Sequence, residues 1–304
     1  MVQKHLYENL TWIEASRPNQ EEIKALTKEY CLDLLVARDL SSPTPRPVLR
    51  SDKDSFYSVF HFPVSKQSHI EGNVQELDFV VLKHTTVTVR YDTIDAIEQF
   101  GKKMEVREAI DKNIDRESGD MLFFLIMNAM YESVGHELSY IDDTISHIEK
   151  EIFKQKEKEM VVSVSEVIRN LLNFRRVLHP HHALISSLRI IGEKIFGSGF
   201  TQRSYILEEE LKALLKRIEN QLELVTSLRE TNDALLSTKQ NEIMKILTIM
   251  AFVTFPLSLI AGIFGMNTSF IPIVGHSNDF WIVIGIMGGM TAAFFGYFKY
   301  KKWL

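Results

Sequence analysis

Residues 241–267 read NEIMKILTIMAFVTFPLSLIAGIFGMN, and from Ile246 to Phe264 this stretch carries no charged side chain. At 1.5 Å rise per residue the uncharged run spans roughly 28 Å as a helix, about the thickness of a bilayer's hydrocarbon core, so it is expected to cross a membrane once. Written as a heptad, one seam carries Asn241, Met244, Thr248, Ala251, Phe255, Ser258, Gly262 and Gly265. Ile243, Ile246, Ile249, Val253, Leu257, Ile260, Ile263 and Phe264 lie off it. Hydroxyls and glycines gain nothing against lipid, so the seam should face either a neighbouring helix or the water of a pore. Ala261 and Gly265 form a small-xxx-small pair, which favours helix packing. The abrupt stop at Gly265-Met266-Asn267, ending in a carboxamide, favours a pore.

A second uncharged run, Phe280–Phe298, follows and holds Gly285, Gly288, Gly289, Ala292, Ala293 and Gly296. Gly285 and Gly289 make a GxxxG pair that lets helices approach closely, so this span is expected to brace the first. Thr268–Asp279, between the spans, contains neither lysine nor arginine, whereas Lys239 and Lys245 precede the first span and Lys299, Lys301 and Lys302 follow the second. By the positive-inside rule both termini are expected in the cytoplasm, with the 265–279 loop outside a cell (inner) membrane.

The Gly265-Met266-Asn267 signature at the outer end of the first of two C-terminal spans, the preceding MKILTIMAFVTFPLSLIAGIF and the lysine-rich ending KYKKWL resemble the CorA-type divalent-cation (magnesium) channels. LTWIEA, VFHFP and LDFVVLKHTTVTVR resemble that family's N-terminal strands more loosely. Two helices per chain cannot enclose a pore, so the protein should be a homo-oligomeric ring with the seam inside and the second span outside; the resemblance implies five subunits. It also implies a selectivity filter at Gly265, Met266 and Asn267. The expected pore lining is Asn241, Met244, Thr248, Ala251, Phe255, Ser258 and Gly262. Mg²⁺ gives up its water reluctantly, so a filter that grips the hydrated ion through neutral oxygens is expected. Asn267 supplies such an oxygen, Gly265 a free carbonyl, and Thr248 and Ser258 hydroxyls further in. Co²⁺ or Ni²⁺ are further candidate cargoes.

Pro256 lacks an N–H, so the carbonyl of Phe252 loses its helical partner, which suits either a passive kink or a gating hinge. Phe255 is the bulkiest residue on the seam, where the family carries a smaller apolar one; a ring of Phe255 would close a pore by dewetting. In CorA-type channels acidic residues between cytosolic domains bind magnesium and hold the pore shut. The resemblance does not carry those residues over position by position, so a regulatory metal site is left open. The family's loops after the signature carry glutamates. Here those places hold Thr268, Ser269, Phe270 and Ile273, with Asp279 the only acid, so cation capture at the mouth should be weaker and less salt-sensitive.

The rest of the chain reads as α+β: a cytosolic α/β domain over 1–115, a helical domain with a stalk over 116–245, and the membrane part over 246–304. Net charge is −5 across 304 residues, with 45% hydrophobic and 25% charged. That is ample for a soluble core, and the mild acidity argues against nucleic acid, which would call for a basic face. The N-terminus has no apolar h-region, so no cleaved signal peptide is expected. The single Cys31 suits a reducing compartment. LTWIEA and Phe56–Phe62 read as strands, Asn19–Tyr30 as a helix capped by Asn19, and Leu77–Lys83 with Thr86–Arg90 as a hairpin. Pro43, Pro45 and Pro47 mark a loop. There is no GxxxxGK[ST], HExxH or GxSxG, and His61, His69 and His84 lack ligand spacing, so no enzyme is expected.

Met121–Lys158 and Val161–His179 are helical patterns, and Met121–Met130 is too short to span a bilayer. His179-Pro180-His181-His182 lacks zinc-ligand spacing and reads as a water-exposed helix junction. Asp142-Asp143 and Glu208-Glu209-Glu210 read as solvated faces. Phe200–Phe255 contains neither glycine nor proline, predicting a stalk and first span in one helix roughly 84 Å long. Its apolar stripe is Leu211, Leu214, Leu215, Ile218, Leu222 and Val225. Two other functions fit parts of the pattern. One is a proton-coupled zinc transporter, which would need a titratable relay that neither span contains. The other is a membrane-anchored coiled-coil scaffold, which leaves the Gly265-Met266-Asn267 stop without a purpose.

Overall fold

Asn19 opens the first helix through a capping box: its Oδ1 accepts from the Glu22 N–H at 2.8 Å, and Glu22 Oε2 accepts from the Asn19 N–H at 2.9 Å. In the computed structural model, which describes residues 1–7, 10–64, 74–110, 118–267, 273, 275 and 278–303, that helix lies within an α/β layer. The strands are β1 (Val2–Tyr7), β2 (Leu10–Ser16), β3 (Leu49–Ser51), β4 (Ser55–Pro63), β5 (Val74–Leu82) and β6 (Thr85–Arg90). They form one sheet in the order β1-β2-β6-β5-β4-β3, parallel between β2 and β6 and antiparallel elsewhere.

Alternation gives this sheet two apolar faces. On one, Ile13, Ala15, Val59, Val80, Val87 and Val89 pack with Ile23 and Leu26 of α1 (Gln20–Glu29), Val36 of α2 (Leu34–Asp39) and Leu40. The other is aromatic and meets α3 (Asp95–Ile110), α4 (Gly119–Phe153) and the start of α7 (Ser198–Phe264). Trp12 sits edge-on to Phe100 at 5.4 Å, and Phe56 and Phe79 reach Phe123 at 5.4 and 5.0 Å. Phe200 closes on Phe56 at 5.9 Å. α4 starts hard against the sheet: a Cβ on Gly119 would lie 2.2 Å from the carbonyl oxygen of Leu82, so only glycine permits that approach.

The expected strands, the Asn19-capped helix and the hairpin are present; β1, α2, β3 and α3 are elements that the sequence patterns do not mark individually. The Met121–Lys158 pattern ends earlier than expected, at Phe153. Gln155 turns left-handed (φ 70°), and Glu151 takes ion pairs from both Lys154 and Lys156, closing the bend before α5 (Glu157–Leu178). α6 (His181–Phe196) follows, and α7 then runs unbroken for 67 residues, through Pro256. Its stripe is buried at Leu211, Ile218 and Val225.

The chain divides into two compact units, Met1–Arg229 and Glu230–Leu304, with α7 contributing to both. In the second, α7 and α8 (Asp279–Tyr300) are long and apolar enough to cross a membrane, and almost none of either span is buried. A helix apolar on all sides yet uncovered by its own chain belongs in lipid or against other helices.

Candidate functional site

Much of the seam of α7 is exposed, as are off-seam residues such as Ile243, Met250 and Leu259. Phe255 is 73% exposed, Met244 56%, and Asn241, Ser258 and Gly262 are also exposed; Thr248 and Ala251 are half-buried. α7 meets α8 elsewhere, where Phe252 lies edge-on to Phe298 at 6.4 Å. The glycines expected to bring α8 close to α7 do not do so within one chain. A Cβ at Gly285, Gly288, Gly289 or Gly296 meets no atom within 4 Å. The expected bracing through Gly285 and Gly289 is therefore absent between these two helices, and the aromatic pair Phe252–Phe298 makes the contact instead.

Thr248 Oγ1 donates to the carbonyl of Met244 at 2.7 Å, the back-bond open to threonine inside a helix. With its proton committed, the hydroxyl offers only lone pairs to whatever faces it. At the helix end, Gly265 N–H bonds to Ala261 O at 2.9 Å and Met266 N–H to Ile263 O at 3.3 Å. A Cβ at residue 265 would lie 3.0 Å from that Ala261 oxygen, so glycine keeps this turn tight. Met266 and Asn267 emerge from it exposed. The seam thus runs from an exposed carboxamide at Asn241 to one at Asn267 without a formal charge. Thr268, Ser269 and Phe270 lie outside the described residues, as does His69; Ile273 is exposed.

The first unit holds most of the buried polar groups among the described residues; Asn232 is buried in the second. His181, read from sequence as water-exposed, is instead fully buried and uses both ring nitrogens. Its Nε2 donates to the His61 carbonyl at 2.8 Å and its Nδ1 accepts from the Tyr131 hydroxyl at 3.0 Å. Burial lowers its pKa to about 3, so it is a neutral wedge between β4 and α4. The neighbouring His182 pairs with Glu208 at 3.1 Å. Glu208 also departs from expectation: it is buried, bonded to Arg189 and held below the usual carboxylate range, burial being outweighed by Arg189 and Lys212. Asp142 pairs with Arg217 at 2.6 Å.

Sequence reading missed Asp78 and Glu76, which share one face of β5. Asp78 is fully buried, and its Oδ2 accepts from Tyr57 at 3.0 Å and Tyr91 at 3.3 Å. Among the described residues no group of three or more His, Cys, Asp or Glu is placed to hold a metal ion.

Residues 7–301 match the family described as CorA-like Mg2+ transporter protein. The cobalt/magnesium transport protein CorA of Thermotoga maritima is 26% identical over 301 residues, covering 97% of this chain and 83% of the relative. The complete structure of the CorA magnesium transporter from Methanocaldococcus jannaschii superposes with a TM-score of 0.84 at 20% identity, covering 97% of this chain and 92% of that one. The ZntB cytoplasmic domain from Vibrio parahaemolyticus matches with a TM-score of 0.60 at 14% identity, covering 76% and 89%.

Proposed function

Because the chain belongs to the CorA-like Mg2+ transporter family, we propose that it is a passive Mg²⁺ channel whose ion path is the α7 seam, repeated around a homo-oligomeric ring. The family makes it a divalent-cation transporter of a membrane, not an enzyme. The channel mechanism, the filter and the five-fold count implied by the resemblance are the proposal.

The observation that carries it is the chemistry of the seam. A hydrated Mg²⁺ presents outward-pointing water hydrogens, so its walls must accept hydrogen bonds without stripping the waters. Thr248, its proton held by Met244 O, is an acceptor. Asn267, exposed beyond the Gly265 turn, offers a carboxamide oxygen, and Ser258 and Asn241 lie exposed on the same seam. Gly265, Met266 and Asn267 form the filter; Met244, Ala251, Phe255 and Gly262 complete the lining. Pro256 sits beside Phe255 as a hinge, and a ring of Phe255 is the dewetting gate. The lysines flanking the two spans support both termini being cytoplasmic. Co²⁺ is a second cargo suggested by the name of the Thermotoga relative, and Ni²⁺ is a third.

Flux into proteoliposomes of the purified protein, with Mg²⁺ and Zn²⁺ compared at fixed membrane potential with and without a pH gradient, tests this. Mg²⁺ entry that follows potential and ignores pH supports the channel. Zn²⁺ entry that grows with the proton gradient would replace it with a proton-coupled transporter. No flux of either ion would leave the two spans as an anchor for a scaffold.

A further inference from the structure

The end of the second unit remote from Asn267 is built as carefully as the filter turn. α8 finishes in a Schellman turn: Trp303 N–H bonds to Phe298 O at 2.9 Å, Lys302 N–H bonds to Lys299 O at 3.1 Å, and Lys302 is left-handed at φ 56°. A non-glycine residue in that conformation is strained, so the turn is held by its contacts. Two are visible. The Trp303 indole stacks on Phe298 with centroids 6.0 Å apart, and the Lys302 carbonyl meets Lys245 Nζ of α7 at 3.5 Å.

The turn therefore gathers Lys245, Lys299, Lys301 and Lys302 at one end of the helix pair, with Glu242 the acid nearest in sequence. Directly beyond Lys245, Ile246 and Leu247 are each 53% exposed, and Trp303 is 43% and Tyr297 56% exposed. A ligand lying here meets a lysine-rich helix end together with exposed apolar and aromatic side chains. That combination fits an amphiphile better than a free anion or an acidic protein segment, since neither of those has use for the apolar half.

We propose that Lys245, Lys299, Lys301 and Lys302, with Trp303 beside them, form a site for the phosphodiester headgroup of an anionic phospholipid, clamping α8 to α7 at the bilayer surface. The proposal rests on the two spans being in a membrane and not on the ion they conduct.

The test uses the full chain in vesicles of phosphatidylcholine with phosphatidylglycerol, in a Trp281→Phe background so that Trp303 is the membrane indole. Brominated phosphatidylglycerol should quench its fluorescence at a several-fold lower mole fraction than brominated phosphatidylcholine. Each lysine changed to glutamine should reduce that preference by about fivefold at most, the equivalent of about 1 kcal/mol per charge near an anionic surface. Arginine at the same positions should retain it. Because charge removal here can disturb insertion, the unsubstituted protein provides a second reading: its preference should fall in about 0.5 M salt. Equal quenching by the two lipids, or a preference that survives both Lys299→Gln/Lys301→Gln/Lys302→Gln and high salt, would overturn the site. Displacement by inorganic phosphate would assign it to a free anion instead, and displacement by polyglutamate to an acidic protein segment.

Discussion

The Tyr57 hydroxyl donates to Asp78 Oδ2 across 3.0 Å in the interior of the sheet layer, and Tyr91 donates to the same oxygen at 3.3 Å. Oδ1 of Asp78 has no hydrogen-bond partner among the described residues, and Glu76 lies beside it on β5, itself fed by the Thr44 N–H at 2.8 Å and by His61 at 3.4 Å. Asp39, at the end of α2, is tied to Arg50 at 2.7 Å, so that guanidinium is already neutralised. Burial first, and then the Glu76 charge, raise the Asp78 carboxyl well above its ordinary value, against the two tyrosines that lower it.

The folded protein therefore keeps a proton on Asp78 that the unfolded chain has released. Stability from this group is full below the unfolded pKa and is lost as pH rises through the folded one. Asp78→Asn, which does not titrate and still accepts from the tyrosines, should melt higher than the parent at neutral pH, with the gap closing toward about pH 4, near the ordinary carboxyl value. Thermal unfolding followed across that range decides it; parallel curves would show that Asp78 is not the titrating group.

Asn267 lies exposed past the last turn of α7, so its truncation should leave folding and assembly intact. Asn267→Ala removes one neutral acceptor per subunit, about 1 kcal/mol each, and around a ring this should reduce Mg²⁺ flux at least tenfold or erase its selectivity. Size-exclusion profiles should be unchanged. Unaltered Mg²⁺ transport in a well-assembled variant would remove Asn267 from the filter.

The contrast between Asn267 and Asp78 shows which features are legible in sequence. The seam is legible because a helix repeats every 3.6 residues, so polar and small positions spaced by three and four declare one face through their spacing alone. The sheet is legible where strands alternate, as in Phe56–Phe62, and where a capping box announces a helix, as at Asn19. Asp78 is invisible to such patterns. Its partners Tyr57 and Tyr91 lie 21 and 13 residues away, and strand pairing alone brings them together. His181 is misread for the same reason: next to a proline it looks like a surface junction, and only the long-range approach of Tyr131 and His61 buries it. The glycines of α8 present the reverse case, a legible packing motif with no partner among the described residues of the single chain.

Gly119→Ala should destabilise the first unit. The new methyl would lie 2.2 Å from Leu82 O, a backbone atom that cannot rotate away, while Gly119 O already accepts from Thr86 Oγ1 at 2.6 Å and its N–H donates to Lys83 O at 2.8 Å. Overpacking of this kind costs about 1–3 kcal/mol, more than offsetting the helix-propensity gain of about 1 kcal/mol. Denaturant unfolding of the full chain should show a lower midpoint; an equal or higher one would mean that α4 slides from the sheet without loss.

Phe255 is the most exposed large apolar side chain on the seam, at 73%, one residue before the proline that frees the Phe252 carbonyl. Around a ring, such side chains would narrow the path to an apolar neck that water leaves, and a hydrated Mg²⁺ cannot cross a dry neck without surrendering its shell. Phe255→Ala should widen the neck and raise the Mg²⁺ leak of the closed protein several-fold, while Phe255→Leu, still apolar and bulky, should leak far less. Because Phe255 is solvent-facing in the single chain, neither change should alter the thermal stability of the first unit. Leak measured in proteoliposomes at high Mg²⁺ separates the possibilities: an unchanged closed-state leak in Phe255→Ala would move the gate to another level of the seam, with Met244 the next large apolar side chain along it.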